Sequence, residues 1–154
     1  GTMDANFRAR TGVVFQEPAL DPNLTARENL MLSAVLYAVP RAVARERIDE
    51  VLKRADLADR SDEPVSKFSG GMRRKVELGR ALIHQPALVL ADEPTGNLDS
   101  NTGERVLDLL FELTQENQQT LLVVTHSQTV AARADRVLLL VDGKLEQGNS
   151  GIVW

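Results

Sequence analysis

The sequence predicts an α/β fold, a parallel sheet wound with helices, and three observations carry that prediction. Apolar runs of strand length, Thr11 to Phe15, Ala87 to Ala91 and Thr120 to Thr125, alternate with segments whose apolar residues repeat at helical spacing. The run Ala87 to Ala91 is unbroken, the pattern of a strand buried on both faces of a parallel sheet. Polar groups close each run in turn, first Gln16, then Asp92 with Glu93, then His126, and wound sheets bind ligands beyond the carboxyl ends of their strands.

The elements follow in order. Gly1 and Thr2 precede Met3 and read as a tag remnant, and no charged-then-apolar targeting pattern follows them. Thr11 to Phe15 is apolar and partly β-branched, which predicts a buried strand ending at Gln16, with Pro18 and Pro22 marking the loop after it. Thr25 with Glu28 three positions later is a capping-box pattern, so a helix opens there and its apolar stretch, Leu30 to Val39, runs to Pro40. Ile48, Val51 and Leu52 then repeat at helical spacing among basic residues and predict an amphipathic helix over 43–55. A polar loop covers 56–66, and Ser69-Gly70-Gly71 opens a helix that reaches His84 before Pro86 stops it. Ser100 caps a helix carrying Val106, Leu109, Leu110 and Leu113, and the strand at 120–125 follows. A short helix over 127–134, a strand over 136–141 and the hairpin signal Asp142-Gly143 complete the chain.

Composition narrows the function. Eighteen Lys and Arg stand against 22 Asp and Glu, a net charge of −4, which gives no general attraction to a nucleic-acid backbone or an anionic membrane. Cysteine is absent, removing disulfides, thiolate metal sites and a cysteine nucleophile together. The longest apolar runs, such as 87–91 and 137–141, fall far short of the roughly 20 residues that span a bilayer, so a soluble chain without membrane insertion is expected.

Taken singly, the polar motifs are weak. Asp92 at a strand end suits magnesium and Glu93 suits the polarising of an attacking water, but acids also open loops and helices for reasons of dipole alone. Ser69-Gly70-Gly71 lets backbone N–H groups approach a phosphate at a helix N-terminus, and it equally makes a plain cap. His126 suits a hydrogen bond to a phosphate oxygen or a simple surface position, and Arg73, Arg74 and Lys75 suit phosphate or a solvated face.

Joined in order, VVFQ, FSGGMRRKVELGRAL, ALVLADEPTGNLD and LLVVTH are far more specific. Over nearly the whole chain their order and spacing closely resemble the ATP-binding cassette (ABC) ATPases, the nucleotide-binding subunits of ABC transporters. The resemblance implies a partial P-loop NTPase (RecA-like) parallel sheet over 3–154 with a helical subdomain inserted at about 24–80. It implies ATP and Mg2+ as cofactors, transmembrane subunits and a second nucleotide-binding subunit as partners, and a cytoplasmic location, peripheral on the inner face of the membrane. By resemblance Gln16 is the glutamine that senses magnesium and the transmembrane partner, and Phe68 to Met72 is the signature motif, with Ser69, Gly70 and Gly71 toward phosphate. Asp92 holds the metal, Glu93 is the general base or positions the water, and His126 meets the γ-phosphate. Gly96 to Asp99 form the loop that communicates across the dimer.

The sequence also departs from the family pattern. Phe68 and Met72 stand where Leu and Gln are more frequent, and Ser127 follows the histidine where an acid is frequent. No position fits the phosphate loop GxxxxGK[ST]: the one Gly-Lys pair, Gly143-Lys144, is followed by Leu145, and Leu138 stands where the first glycine belongs. No tyrosine precedes Gln16 to stack on adenine. The expectation is a chain lacking the N-terminal, phosphate-loop part of the family domain, which alone neither binds ATP tightly nor hydrolyses it. Losing that part also removes a central strand, so self-association or an exchanged strand is expected to close the gap.

Three readings of function follow. In the first, the chain is the C-terminal part of an ATPase subunit whose parent powers transport, resembling drug and polyketide exporters over 16–41 and lipoprotein-release and macrolide-export systems over 91–145. Alternatively, it is a binding module that donates its signature motif to the ATP site of an intact partner. In the third reading it is a remnant without nucleotide chemistry.

Overall fold

The computed structural model describes residues 5–17 and 19–147; the tag-remnant reading at Gly1 and Thr2, the start at Met3 and the loop residue Pro18 lie outside them. Two compact units divide the chain, one through Val124 and one from Thr125 onward.

In the first unit, β1 (Thr11–Val14), β2 (Leu88–Asp92) and β3 (Thr120–Val124) form a three-stranded sheet in the order β1-β2-β3, parallel throughout. A short helix, α1 (Ala5–Ala9), precedes the sheet without any clear sequence signal, and the Thr11 hydroxyl donates to the Phe7 carbonyl at its end. Phe15, expected at the buried end of the first strand, lies outside the ladder and is 55% exposed. Its carbonyl accepts from the Arg74 guanidinium instead of from a neighbouring strand.

The capping box forms as the spacing predicts. The Glu28 N–H donates to Thr25 Oγ1 at 3.1 Å and the Thr25 N–H donates to Glu28 Oε2 at 2.8 Å, opening α2 (Ala26–Leu36). Buried Asn29 then binds Asp21 through both its side-chain oxygen and its amide, which anchors the loop ahead of the helix. Helix α3 (Arg41–Arg54) follows Pro40. The segment read as a polar loop holds two 3-10 turns, Ala58–Arg60 and Val65–Lys67, because Leu57 and Val65 are buried and pull it onto the core. Helix α4 (Gly70–Leu82) is capped by Ser69 and α5 (Ser100–Glu116) by Asp99. Ser100, expected as the cap of α5, is its first helical residue: the Asp99 carboxylate takes the Thr102 N–H at 3.0 Å.

The sheet has two unlike faces. Gly12, Val14, Val89, Ala91, Leu121 and Val123 share one, by register, and there α4 lies so close that a Cβ at Gly12 would run into the Ala81 carbonyl. On the other face Leu88 and Leu90 are only partly buried and Leu122 and Val124 are exposed. The expectation that 87–91 is buried on both sides is therefore corrected. Helices α4 and α5 cover one face, and among the described residues the second keeps a solvent-accessible apolar row.

In the second unit, α6 (Gln128–Ala131) is capped by Ser127, and β4 (Leu138–Val141) pairs antiparallel with β5 (Lys144–Gln147). Helix α6 is shorter than the expected 127–134 because Arg133 and Ala134 bond three residues back, tightening the chain into turns. Asp142 and Gly143 have φ of 48° and 75°, the conformation a two-residue hairpin turn requires.

Candidate functional site

Because the three strands are parallel and in register, Val14 beside Ala91 and Asp92 beside Val124, their carboxyl ends form one rim. Asp92 is the last residue of the central strand and is exposed there. Glu93 follows, its N–H donating to the Val124 carbonyl at 2.9 Å, so its main chain is fixed to the end of β3. Its φ is 42°, in the left-handed region, which costs a non-glycine residue about 1–2 kcal/mol. The other non-glycine residues of this kind have plain tasks: Ala38, Asp56, Gln85 and Gln118 lie just past helix ends, and Asp142 sits in the hairpin turn. Glu93 serves neither purpose. Such a conformation persists only where the surrounding structure over-determines it, here through the Glu93 N–H bond to β3.

Gln16 lies two residues past β1, on the same rim, with its side chain exposed and its carbonyl accepting from Arg74. The rim therefore gathers Gln16, Asp92 and Glu93. His126 belongs to the second unit; it is exposed and stands between Thr125, whose hydroxyl accepts the Ser127 N–H at 3.0 Å, and the cap of α6.

A second group of expected residues gathers where α4 meets α5. Ser69 caps α4 by accepting the Met72 N–H at 3.3 Å. A Cβ at Gly71 would collide with the Thr102 methyl, and one at Gly70 would stand 3.5 Å from Leu98. Asp99 caps α5 beside them, and the Thr102 hydroxyl and amide hold its carboxyl below the ordinary range. The turn from Glu93 to Asp99 is closed by the Gly96 N–H on the Glu93 carbonyl and the Leu98 N–H on the Thr95 carbonyl.

The unusual signature residues have a shared partner. Arg60, from the first 3-10 turn, lies 5.1 Å from the centre of the Phe68 ring, donates to Met72 Sδ at 3.3 Å and grips Glu63 with two bonds of 3.0 and 2.8 Å. Phe68 offers a π face to that cation and Met72 a polarisable sulfur, which a Leu and Gln pair would not. Arg60 in turn holds the Glu63 carboxyl below its usual value.

The basic run 73–75, which the sequence leaves open between phosphate and a solvated face, is engaged with main-chain carbonyls. Arg73 donates to the Phe68 carbonyl at 2.8 Å, Lys75 to the Ala55 carbonyl at the end of α3 at 2.8 Å, and Arg74 to the carbonyls of Phe15 and Gln16. All three close main-chain ends. Glu77 and Arg80 escaped sequence reasoning, and so did the buried role of Arg74, although Arg74 lies on the stripe of Leu78 and Ala81, and a charge in an apolar stripe is a signal.

The donor set suits a magnesium-nucleotide complex better than a protein metal cage. Among the described residues no three His, Asp or Glu side chains converge on a metal position. Magnesium keeps several waters and takes one or two carboxylates along with substrate phosphates, and Asp92 at the open rim offers such a ligand.

This wound parallel sheet, with its acid-ended central strand, is a P-loop NTPase fold, shared with a solved dimeric ATP-binding cassette, MJ0796 bound to ADP and Pi. The two superpose with a TM-score of 0.78 at 36% identity, over 95% of this chain and 68% of that one. The family model described as ABC transporter matches residues 2–96, and the chain belongs to that family. It is 44% identical over 144 residues to the lipoprotein-releasing system ATP-binding protein LolD of Desulfotalea psychrophila, covering 93% of this chain and 64% of the relative. It is 48% identical over 143 residues to LolD 2 of Rhodospirillum rubrum, covering 92% and 62%. The chain thus spans somewhat less than two thirds of the length of these curated relatives.

Proposed function

We propose that this chain is the C-terminal part of an ATP-hydrolysing subunit of an ABC transporter that works as an exporter, with the LolD relatives favouring the lipoprotein-release side of its resemblance. The observation that carries the proposal is the strained Glu93 directly after Asp92 at the end of the central strand. In this reading Asp92 holds Mg2+ directly or through water, and Gln16 reaches the same ion from β1. Glu93 polarises the attacking water, and His126 hydrogen-bonds the γ-phosphate. Ser69, Gly70 and Gly71 address ATP held by a second nucleotide-binding subunit, because the α4 N-terminus offers free N–H groups to an anion. Asp99 carries the state of one site across to the other.

Transmembrane subunits are the second class of partner. Leu32, Val35 and Leu36 are exposed on α2 at i, i+3 and i+4, an apolar strip suited to a docking helix. Among the described residues no helix is long and apolar enough to cross a membrane. In this reading the subunit sits peripherally on the cytoplasmic face of the membrane, as its family resemblance implies.

No stretch of this sequence supplies the phosphate cradle, so the isolated chain neither binds Mg-ATP tightly nor turns it over. Titration calorimetry of the chain with Mg-ATP is expected to give no saturable heat at micromolar nucleotide; tight one-to-one binding contradicts the proposal. The second reading, a non-catalytic donor of the signature motif, draws on the glycine-floored contact of α4 with α5. It predicts that the chain raises the ATPase rate of an intact partner subunit.

A further inference from the structure

We propose that Arg74, Glu77 and Arg80 turn one face of α4 into a clasp on the main chain of the loop after β1, so that Gln16 is positioned from the helix that carries the signature glycines. The three residues stand at i, i+3 and i+6, on one side of the helix. Arg74 is 3% exposed, and its guanidinium donates to the carbonyls of both Phe15 and Gln16. Glu77 is 2% exposed with its carboxylate facing the Ala19 N–H, while Arg80 donates to the Ala19 carbonyl, to Ser33 Oγ at 3.2 Å and to Glu77 at 3.4 Å. Ala19 is therefore held through its C=O, with its N–H turned to Glu77.

Burying a guanidinium and a carboxylate opposes folding unless their donors and acceptors are met. Here they are met by backbone that no strand or helix claims: Phe15 and Gln16 lie beyond the end of β1 and Ala19 lies in the following loop. The side chains of Phe15 and Gln16 stay exposed while their carbonyls are pinned. The loop is thus fixed where it needs precision and open where it meets a ligand. Two consecutive carbonyls match the planar fork of arginine, which a lysine point charge does not reproduce. Arg74 and its two helpers are positioning residues, since they act on the reaction only through Gln16.

The clasp also makes α4 and the Gln16 loop one body. A nucleotide phosphate at Ser69 and Gly71 then reports to Gln16 through a single helix. This second step rests on the function proposed above.

Hydrogen–deuterium exchange on the full chain tests both steps. Arg74→Lys keeps the charge and loses the fork; amides of 15–20 are expected to exchange about tenfold faster or more, with α5 peptides unchanged. Arg80→Lys, at the half-open end of the clasp, gives a smaller rise confined to the same peptides and serves if Arg74→Lys does not fold. Unchanged exchange over 15–20 in the folded variant, or a rise shared by every peptide of the unit, overturns the clasp. In a second arm the chain is mixed with an intact ABC ATPase subunit loaded with Mg-ATP. Wild type is expected to slow exchange over 15–20 and Arg74→Lys to lose that response; an equal response in both overturns the link to the signature. A wild-type chain indifferent to the loaded subunit contradicts the nucleotide reading itself, and the first arm then decides the clasp.

Discussion

Val89 and Leu90 are neighbours on one strand, yet Val89 is fully buried under α4 and α5 whereas Leu90 looks out on a face that carries exposed Leu122 and Val124. Both faces of the strands carry apolar residues, so the difference in burial lies in the cover. Helix α4 supplies it where the Ala81 carbonyl lies against Gly12, and Val106 and Leu110 of α5 share one core with Val89 and Ala91. Among the described residues the open face keeps an apolar row that runs to the edge strand β3.

The contrast is sharpest in stability. Leu110→Ala, in the covered layer, is expected to cost about 2–5 kcal/mol in urea unfolding, since it leaves a cavity in close packing. Leu122→Lys, on the open face, is expected to change stability by no more than about 0.5 kcal/mol. The same variant reports on assembly. If the edge and face of β3 pair with a second copy, wild type self-associates in light scattering at high concentration and Leu122→Lys does so much less. A wild-type chain that stays monomeric breaks this part of the comparison, and equal stability losses at the two positions would break the whole of it.

A smaller effect lies at the joint between α4 and the helices around it. His84 stacks on Tyr37 with ring centres 3.7 Å apart, and among the described residues neither of its buried ring nitrogens completes a hydrogen bond. Burial holds its pKa below the ordinary 6.5, opposed by the nearby Thr11 main chain and aided by the charge of Arg47. The unfolded chain therefore takes up this proton first as pH falls. The stability that depends on a neutral His84 is complete above about 6.5 and is lost as pH drops toward the folded value. His84→Phe keeps the stacked ring and has no proton to accept. Thermal unfolding at pH 7.5 and 5.5 is expected to show a larger acid loss for wild type than for His84→Phe; equal losses exclude the mechanism.

Much of this was legible in the sequence, for physical reasons that differ by element. The capping box at Thr25 and Glu28 depends only on residues three apart, and the strands announce themselves by local apolar runs. The family resemblance rests on motif order. What escaped depends on contacts between distant segments: Arg74 reaches Phe15 and Gln16 across nearly sixty residues of chain, and Arg60 meets Phe68 and Met72 only once the 3-10 turns are folded. The cap of α5 shifted from Ser100 to its neighbour Asp99 because adjacent residues can both cap and only backbone geometry chooses. The strain at Glu93 has no sequence signature at all, since glutamate is not a residue that favours positive φ.

In the proposed function the acid pair at the end of β2 performs ATP chemistry when joined to a phosphate cradle. The most direct test joins this chain to the phosphate-loop segment of a LolD relative and measures Mg-ATP hydrolysis with and without Glu93→Gln. The account predicts hydrolysis by the joined protein and a loss of about 10²–10⁴-fold in the variant, with the fold intact. A Glu93→Gln protein as fast as its parent would contradict it.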